Sequence, residues 1–261
     1  MTFVDSKQRF SNRVADYIRY RPAYPSALVD LLRKECALLP DRVIADVGSG
    51  TGLLSKLFLE HGYSVYGVEP NDEMRAGGEE VLRSYRNFTS VNGSAEATTL
   101  DDSSVDLVTA GQAFHWFDPH AARHEFQRIL KPCGFLVVVW NDRRISESHF
   151  SREYEDLLLR YGTDYTRVKE TYPGAAVMQR FFAGNRFHSR ELANFQEFDF
   201  AGLSGRLRSS SYAPQEGHAN YRPMMAELER LFGANQVNGR VRMNYTTQIY
   251  FGNLETLGNS R

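Results

Sequence analysis

In the first half of the chain, short solid runs of apolar residues alternate with longer stretches in which apolar residues recur every three or four positions. Val43, Ile44, Ala45 and Val47 form one such run, and Leu53, Leu54, Leu57 and Phe58 follow at helical spacing. That pattern predicts a strand covered on both faces and a helix packed back on it. The alternation continues with a strand over 64–68, a helix over 74–85, strands over 87–92 and 105–110, a helix over 119–130 and a fifth strand over 135–140. Strands alternating with helices predict an α/β class, doubly wound, with a mostly parallel sheet between two helical layers.

Beyond Asn141 the pattern changes. Tyr154, Leu157, Leu158 and Tyr161 keep helical spacing with no buried strand between them, which predicts a helical insertion or lid over 141–190. Phe195 to Phe200 alternates apolar and polar residues as a half-buried sixth strand, and 241–251 is rich in β-branched and aromatic residues as a seventh. The stretch 203–214 reads as a connection to a helix near 221–232. Upstream, 10–20 reads as an amphipathic helix with Ser11 as its N-cap. Pro22 and Pro25 then force an extended connection, and Ser26 reads as the cap of a helix ending at Cys36. The expected organisation is one domain over 1–261: cap helices over 1–40, a ligand-binding core over 41–140, the insertion over 141–190 and strands completing the sheet over 191–261.

Composition narrows the function classes. The 31 basic and 32 acidic side chains leave a formal charge of -1, which gives no general electrostatic reason to bind nucleic acid or an anionic membrane. The two cysteines, Cys36 and Cys133, have neither metal-ligand spacing nor a disulfide framework, so no metal site is expected and a reducing, cytoplasmic setting is. No apolar run approaches a signal peptide or a membrane span, so a soluble protein is expected.

The chemistry concentrates after the first strand. Gly48, Gly50 and Gly52 let the backbone take positive φ and approach a ligand closely. The spacing is GxGxG, with Leu53 where a dinucleotide fingerprint has its third glycine, and Asp46 would repel a pyrophosphate at short range. NAD therefore fits poorly. A cofactor with a cationic amino-acid end suits Asp46, directly or through a water. Glu69 ends the second strand about twenty residues beyond the turn, the interval at which a βαβ unit returns a carboxylate to ribose hydroxyls. Two carboxylates and no phosphate point to adenosine joined to an amino acid. A flexible thioether at Met74 suits a face of adenine, or else the helix core.

The run from Asp46 to Gly52, Glu69, and the later GSAE and FHWFD segments together resemble a class I S-adenosylmethionine-dependent methyltransferase of the broad type 11 superfamily. YRPxYP at Tyr20 to Pro25, LKPCG, and SSSYAP at 209–214 extend the resemblance over most of the chain, toward the branch of trans-aconitate-type small-molecule carboxyl methyltransferases. It implies a Rossmann-like, seven-stranded sheet whose seventh strand lies antiparallel between the fifth and sixth. It also implies S-adenosylmethionine as cofactor, with Tyr20 and Arg21 at its methionine end or the substrate, although aromatic packing and a surface arginine serve equally as their reading. Ala95 and Glu96 would meet the adenine edge, and Gln112 the methionine moiety. Cys133 stands where LKPGG has glycine and is assigned to packing.

Phe114, His115 and Trp116 follow the fourth strand as an aromatic, substrate-facing wall beside the sulfonium. His115 is the candidate general base, although a histidine that merely orients Trp116 serves as well, and an ionised acceptor held in line needs no base. Arg143, Arg144, Arg206 and Tyr212, with Tyr154, Tyr161, Tyr165 and Tyr172, form a candidate lid for a carboxylate, while the plainer reading of the basic stretches at Arg143, Arg144, Arg206 and Arg208 is solvated loop charge. The expected reaction is methyl transfer by in-line displacement to an oxygen, a carboxylate included, of a small molecule. Its rivals are a nitrogen or carbon acceptor on the same fold, or a non-catalytic S-adenosylmethionine-binding protein. Monomer and homodimer both stay open.

Overall fold

The computed structural model describes residues 14–170, 174–182 and 187–254. The Ser11 cap, the first residues of the predicted N-terminal helix and Tyr172 lie outside the described residues. The chain begins with α1 (Val14–Tyr20) and α2 (Ala27–Glu35), then β1 (Val43–Val47), α3 (Leu53–Glu60), β2 (Ser64–Val68), α4 (Asp72–Leu82), β3 (Phe88–Val91) and β4 (Val105–Gly111). A single 3₁₀ turn (Phe114–Trp116) leads to α5 (Pro119–Ile129) and β5 (Leu130–Arg143). A second such turn (Ile145–Glu147) precedes α6 (His149–Tyr161), α7 (Tyr165–Glu170), α8 (Ala175–Phe182) and β6 (Phe187–Phe198). The chain closes with α9 (Phe200–Arg208), α10 (Tyr221–Asn235) and β7 (Val241–Gly252).

These strands form one seven-stranded sheet in the order β3-β2-β1-β4-β5-β7-β6. β1 pairs parallel with β2 and β4, and β5 pairs parallel with β4, while β7 runs antiparallel to both β5 and β6. The Rossmann-like arrangement, with β7 inserted between β5 and β6, is the expected one. Alternate residues of the central strands feed opposite layers. Ile44, Val137 and Val139 join α2 and α3 through Leu32 and Phe58. Ala45, Val108 and Val138 join α5 and α8 through Phe126 and Phe182. No helix among the described residues is long and apolar enough to cross a membrane.

Several boundaries differ from the sequence expectation. β5 runs on to Arg143 and β6 starts at Phe187, eight residues before the expected Phe195, so sheet residues occupy both ends of the predicted insertion. The outer half of β6 is exposed, so it carried no alternating apolar signal. The stretch expected to be a connection holds α9, whose Asp199 cap accepts from Gly202 N. Ser26 has helical dihedrals and makes no capping bond with its side chain. Cys133 is exposed at φ +66°, so its position answers to turn geometry and not to packing.

The helices of the insertion also divide their loyalties. α8 buries Met178, Phe181 and Phe182 on the main sheet. α6 and α7 share a separate apolar cluster with α9, α10 and the first half of β7, through Leu158, Val168, Leu203, Leu228 and Met243. α2 is equally part of the main core, which leaves α1, packed against α4 and α9, as the cap.

Candidate functional site

The carboxyl ends of β1, β2 and β4 open into one cleft of about 210 Å³. Its floor is the turn after β1, where Gly48, Gly50 and Gly52 hold φ of +68°, +57° and +81°. Val68 O accepts hydrogen bonds from Gly48 N at 2.8 Å and Ser49 N at 3.1 Å, which ties the turn to the end of β2. A Cβ on Gly48 would stand 2.5 Å from Ala113 Cβ, and one on Gly50 3.2 Å from Met74 Cε. Gly48 and Gly50 line the cleft. Gly52 does not, because it faces Leu82 of α4, 2.5 Å from a notional Cβ. Its role is close helix packing.

Glu69 is buried at the end of β2 and accepts from Gly50 N at its Oε2 and from Asn71 N at its Oε1, both at 2.9 Å. Each oxygen keeps a further acceptor site for a ligand hydroxyl. Burial raises its carboxyl above the usual range, against those two bonds. Asp46 is more deeply enclosed and accepts from Ser55 Oγ at 2.6 Å and Thr109 Oγ1 at 3.1 Å. Burial pushes it up to about 6, outweighing the hydrogen bonds that lower it. Asp46 borders a smaller adjoining pocket with Tyr17, Arg21, Pro22, Tyr24, Gly111 and Gln112 rather than the main cleft. The cationic end of a ligand would reach it through that recess.

Met74, Ala95 and Glu96 line the main cleft as expected. Asn71 caps α4 by accepting from Met74 N at 2.8 Å, which fixes the thioether's base beside the glycine turn. Glu96 accepts from Asp118 N at 2.9 Å and so joins the two loops that flank the cleft. Gln112 takes φ +58°, and its side-chain oxygen accepts from Asn141 N at 2.5 Å. His115 and Trp116 also line the cleft. The His115 ring lies 4.4 Å from Trp116 and 5.1 Å, edge to face, from Trp140.

Other expected site residues lie elsewhere. Phe114 turns into the core against Phe181, 4.7 Å between ring centroids, so it supports the aromatic wall from behind. Tyr20 packs on Gly205 of α9, where a Cβ would come within 2.1 Å of its ring. Helical rotation brings Tyr17 to the cleft in its place, beside Arg21. Arg143 is absent from the cleft wall and bonds Glu155 Oε2 at 2.7 Å and the Tyr165 hydroxyl at 2.6 Å. Tyr212, from the loop after α9, does reach the cleft. Sequence reasoning missed Tyr17, Asn71, Trp140 and Val168, which line it too. Trp140 had a usable signal, since it sits at the carboxyl end of a predicted strand and period-two alternation sets it opposite Asn141.

Residues 45–138 match a family model described as a methyltransferase domain. The chain is similar to an uncharacterized methyltransferase of Mycobacterium tuberculosis, 38% identical over 172 residues that make up 65% of this chain and 66% of that protein. An uncharacterized methyltransferase-like protein of Schizosaccharomyces pombe is 38% identical over 138 residues, 51% of this chain and 52% of its own. The match therefore spans just under two thirds of the first of these relatives and about half of the second. Among solved structures, a methyltransferase candidate from an antibiotic biosynthesis pathway of Anabaena variabilis shares the fold with TM-score 0.62 and 19% identity, over 91% of this chain and 99% of that one. A type II methyltransferase candidate from Anaeromyxobacter dehalogenans does so with TM-score 0.60 and 22% identity, over 90% and 98%.

Proposed function

We propose that this chain, whose residues 45–138 match a methyltransferase domain, takes S-adenosylmethionine as its cofactor and passes that cofactor's methyl group to an oxygen of a small acceptor. The observation that carries the reading is the mixed polarity of one cleft, lined by the carboxylates Glu69 and Glu96 and also by Arg21 and Tyr212. The cofactor supplies an activated methyl on a sulfonium. Glu69 offers acceptors to the ribose hydroxyls, Ala95 and Glu96 stand for the adenine edge, Met74 for one of its faces, and Asp46 for the amino group through the adjoining recess. Gly48, Gly50 and Gln112 shape the methionine end.

His115, Trp116 and Trp140 provide a dry wall whose ring faces tolerate the sulfonium cation. Methyl transfer needs the acceptor oxygen in line with the sulfur–methyl bond, and holding it there accounts for most of what the site contributes. A histidine packed against two indoles suits orientation better than proton transfer. On the acceptor side, Arg21 suits a carboxylate of the acceptor molecule, either as the methylated group or as the anchor for a neighbouring hydroxyl. This agrees with the resemblance to trans-aconitate-type enzymes. A soluble, cytoplasmic protein acting on a small metabolite, with no nucleic acid partner, completes the reading.

Calorimetric titration with S-adenosylmethionine and, separately, NAD tests it. Micromolar-range binding of the first alone is the expected result, followed by methylation within a panel of small carboxylic and hydroxycarboxylic acids. Binding with no turnover across oxygen, nitrogen and carbon acceptors would favour a non-catalytic binder, and binding of NAD alone would overturn the reading.

A further inference from the structure

Behind the cationic wall lies a buried cluster whose charges do not balance. Arg143 and Arg206 are enclosed, at 13% side-chain exposure for the first and 5% residue exposure for the second. Arg21 stands beside them at the cleft, with its Nη2 donating to Ser209 O at 2.7 Å and its buried Nε without a hydrogen-bond partner. The carboxylates of the cluster are Glu155, buried, which already serves Arg143, Tyr165 and Lys169, and the half-buried Asp142, which faces Arg143 and Lys169. Buried cations without counter-charge are costly.

Four buried tyrosines surround these arginines: Tyr154, Tyr165, Tyr212 and Tyr245. Their hydroxyls are not alike. Tyr165 donates to Glu155 Oε2 at 2.6 Å and Tyr245 donates to Gln196 Oε1 at 2.9 Å, so both are committed as neutral donors. Burial raises Tyr154 and Tyr165 above the ordinary phenol range. Tyr212 alone of the four lines the cleft. Ser210 Oγ accepts from Arg206 Nη1 at 2.9 Å and hydrogen-bonds Tyr212, relaying the guanidinium's polarity to the phenol oxygen. The backbone around it is fixed, since Tyr212 O accepts from Thr163 N at 3.0 Å and Ala213 N donates to Ser210 O at 3.1 Å.

We propose that Tyr212 is the proton acceptor of the reaction, and that the methylated group is therefore a hydroxyl, with any carboxylate of the acceptor serving as its anchor on Arg21. This rests on the methyl-transfer reading above. The acceptor oxygen attacks the methyl carbon, the carbon–sulfur bond breaks and its electron pair stays on sulfur, giving the neutral thioether. The hydroxyl proton passes to the Tyr212 phenolate, which becomes a neutral phenol and returns the proton to solvent after release. Against Arg21, Arg143, Arg206 and Lys169 stand Glu155 and the half-buried Asp142, and phenolate and anchored carboxylate together supply the two negative charges still wanting. The titratable groups acting on Tyr212 are Arg21, Arg143 on β5, Tyr154 on α6, Tyr165 on α7 and Arg206 on α9, with Glu155, Lys169 and Tyr245 one partner further back. Burial opposes its ionisation, but Arg143, Arg206 and Arg21 outweigh burial and lower it.

The test uses the full-length protein labelled with carbon-13 at the tyrosine ring Cζ, with S-adenosylhomocysteine bound, comparing parent and Tyr212→Phe. One resonance should be missing in the variant, and in the parent it should titrate below a free phenol. Arg206→Gln should move that titration upward, and Arg21→Gln serves if the first variant does not fold. In parallel, 4-hydroxybenzoate and benzoate report the acceptor group: an ether product lost about a hundredfold or more in Tyr212→Phe supports the base. Titration of Tyr212 at or above an ordinary phenol, or methyl ester as the product from both acids, overturns the proposal and leaves the cofactor reading intact. Failure of S-adenosylhomocysteine to bind the parent would overturn the methyl-transfer reading and with it the base role.

Discussion

The two sides of the cleft are built by opposite means. The proposed cofactor side is contiguous: one strand–turn–helix unit and the end of the next strand supply Asp46, Gly48, Gly50 and Glu69, and the carboxylates there are held by backbone N–H groups and by hydroxyls. The proposed acceptor side is gathered from far apart in the chain: Arg21 before α2 and Tyr212 after α9 reach the cleft, Arg143 on β5, Glu155 on α6 and Arg206 on α9 stand behind them, and Arg143 and Arg206 are held by side chains. A site made of backbone geometry survives most changes in its surroundings, while one made of buried side-chain pairs depends on every member. That difference orders the perturbations by size.

The largest effect belongs to the acceptor side. Glu155→Gln strands the Arg143 guanidinium among Tyr154 and Tyr165, and breaking a buried pair by removing one partner costs about 3 to 5 kcal/mol. Denaturant unfolding should register that loss. If the variant unfolds at the parent's midpoint, the cluster is better solvated than its burial implies and the contrast between the two sides collapses.

This asymmetry also explains what could be read in advance. Asp46, the glycine turn and Glu69 follow from spacing along one βαβ unit, because local geometry sets where each points. The strand order with β7 inside β6 came through the family resemblance, since periodicity carries no information on pairing. Phe114 and Tyr20 were placed wrongly for a common reason. An aromatic residue beside a ligand loop can face ligand or core, and only the packing partners, Phe181 and Gly205, decide. The helix α9 was missed because Gly202 and Gly205 lower its propensity. Gly205 is there because α1 crosses it too closely for a side chain.

Next in size is the floor of the cleft. Gly48→Val forces a branched side chain into φ +68°, which alone costs about 1 to 3 kcal/mol. It also drives Cβ to 2.5 Å from Ala113 Cβ, which cannot yield without its backbone. Cofactor affinity by calorimetry should fall at least tenfold while the Tyr212 titration stays in place. A loss of both together would mean that the two sides are one cooperative unit.

Asp46 gives a smaller, pH-dependent effect. Its native carboxyl sits at about 6 against 3.8 ordinarily, so between those values the folded protein binds more protons than the unfolded. Stability of the ligand-free protein therefore falls as pH rises from about 4 to about 6 and levels off above. A cationic amino group prefers the ionised form, so S-adenosylmethionine affinity should rise with pH through about 6, by up to tenfold per unit below it, with proton release on binding. Asp46→Asn should flatten the profile and lose about 1 to 3 kcal/mol of binding at neutral pH. A flat profile in the parent would place the amino group away from the recess.

The smallest effect tests what joins the two sides. α1 carries Tyr17 over the cofactor side and is tied to α9 on the acceptor side by Arg208 Nε and Asp16 Oδ2 at 3.0 Å, a half-exposed pair. A double-mutant cycle of Asp16→Asn and Arg208→Ala should give a coupling below about 1 kcal/mol, shrinking further in salt. Gly205→Ala instead pushes the Tyr20 ring off its seat and should weaken the cofactor more than either surface change. If the ion pair proved the stronger tie, α1 would be held by charge at its rim. The expected order puts the ring-on-glycine contact first, which would mean that a single close packing contact carries the alignment between the half of the site built from backbone and the half built from side chains.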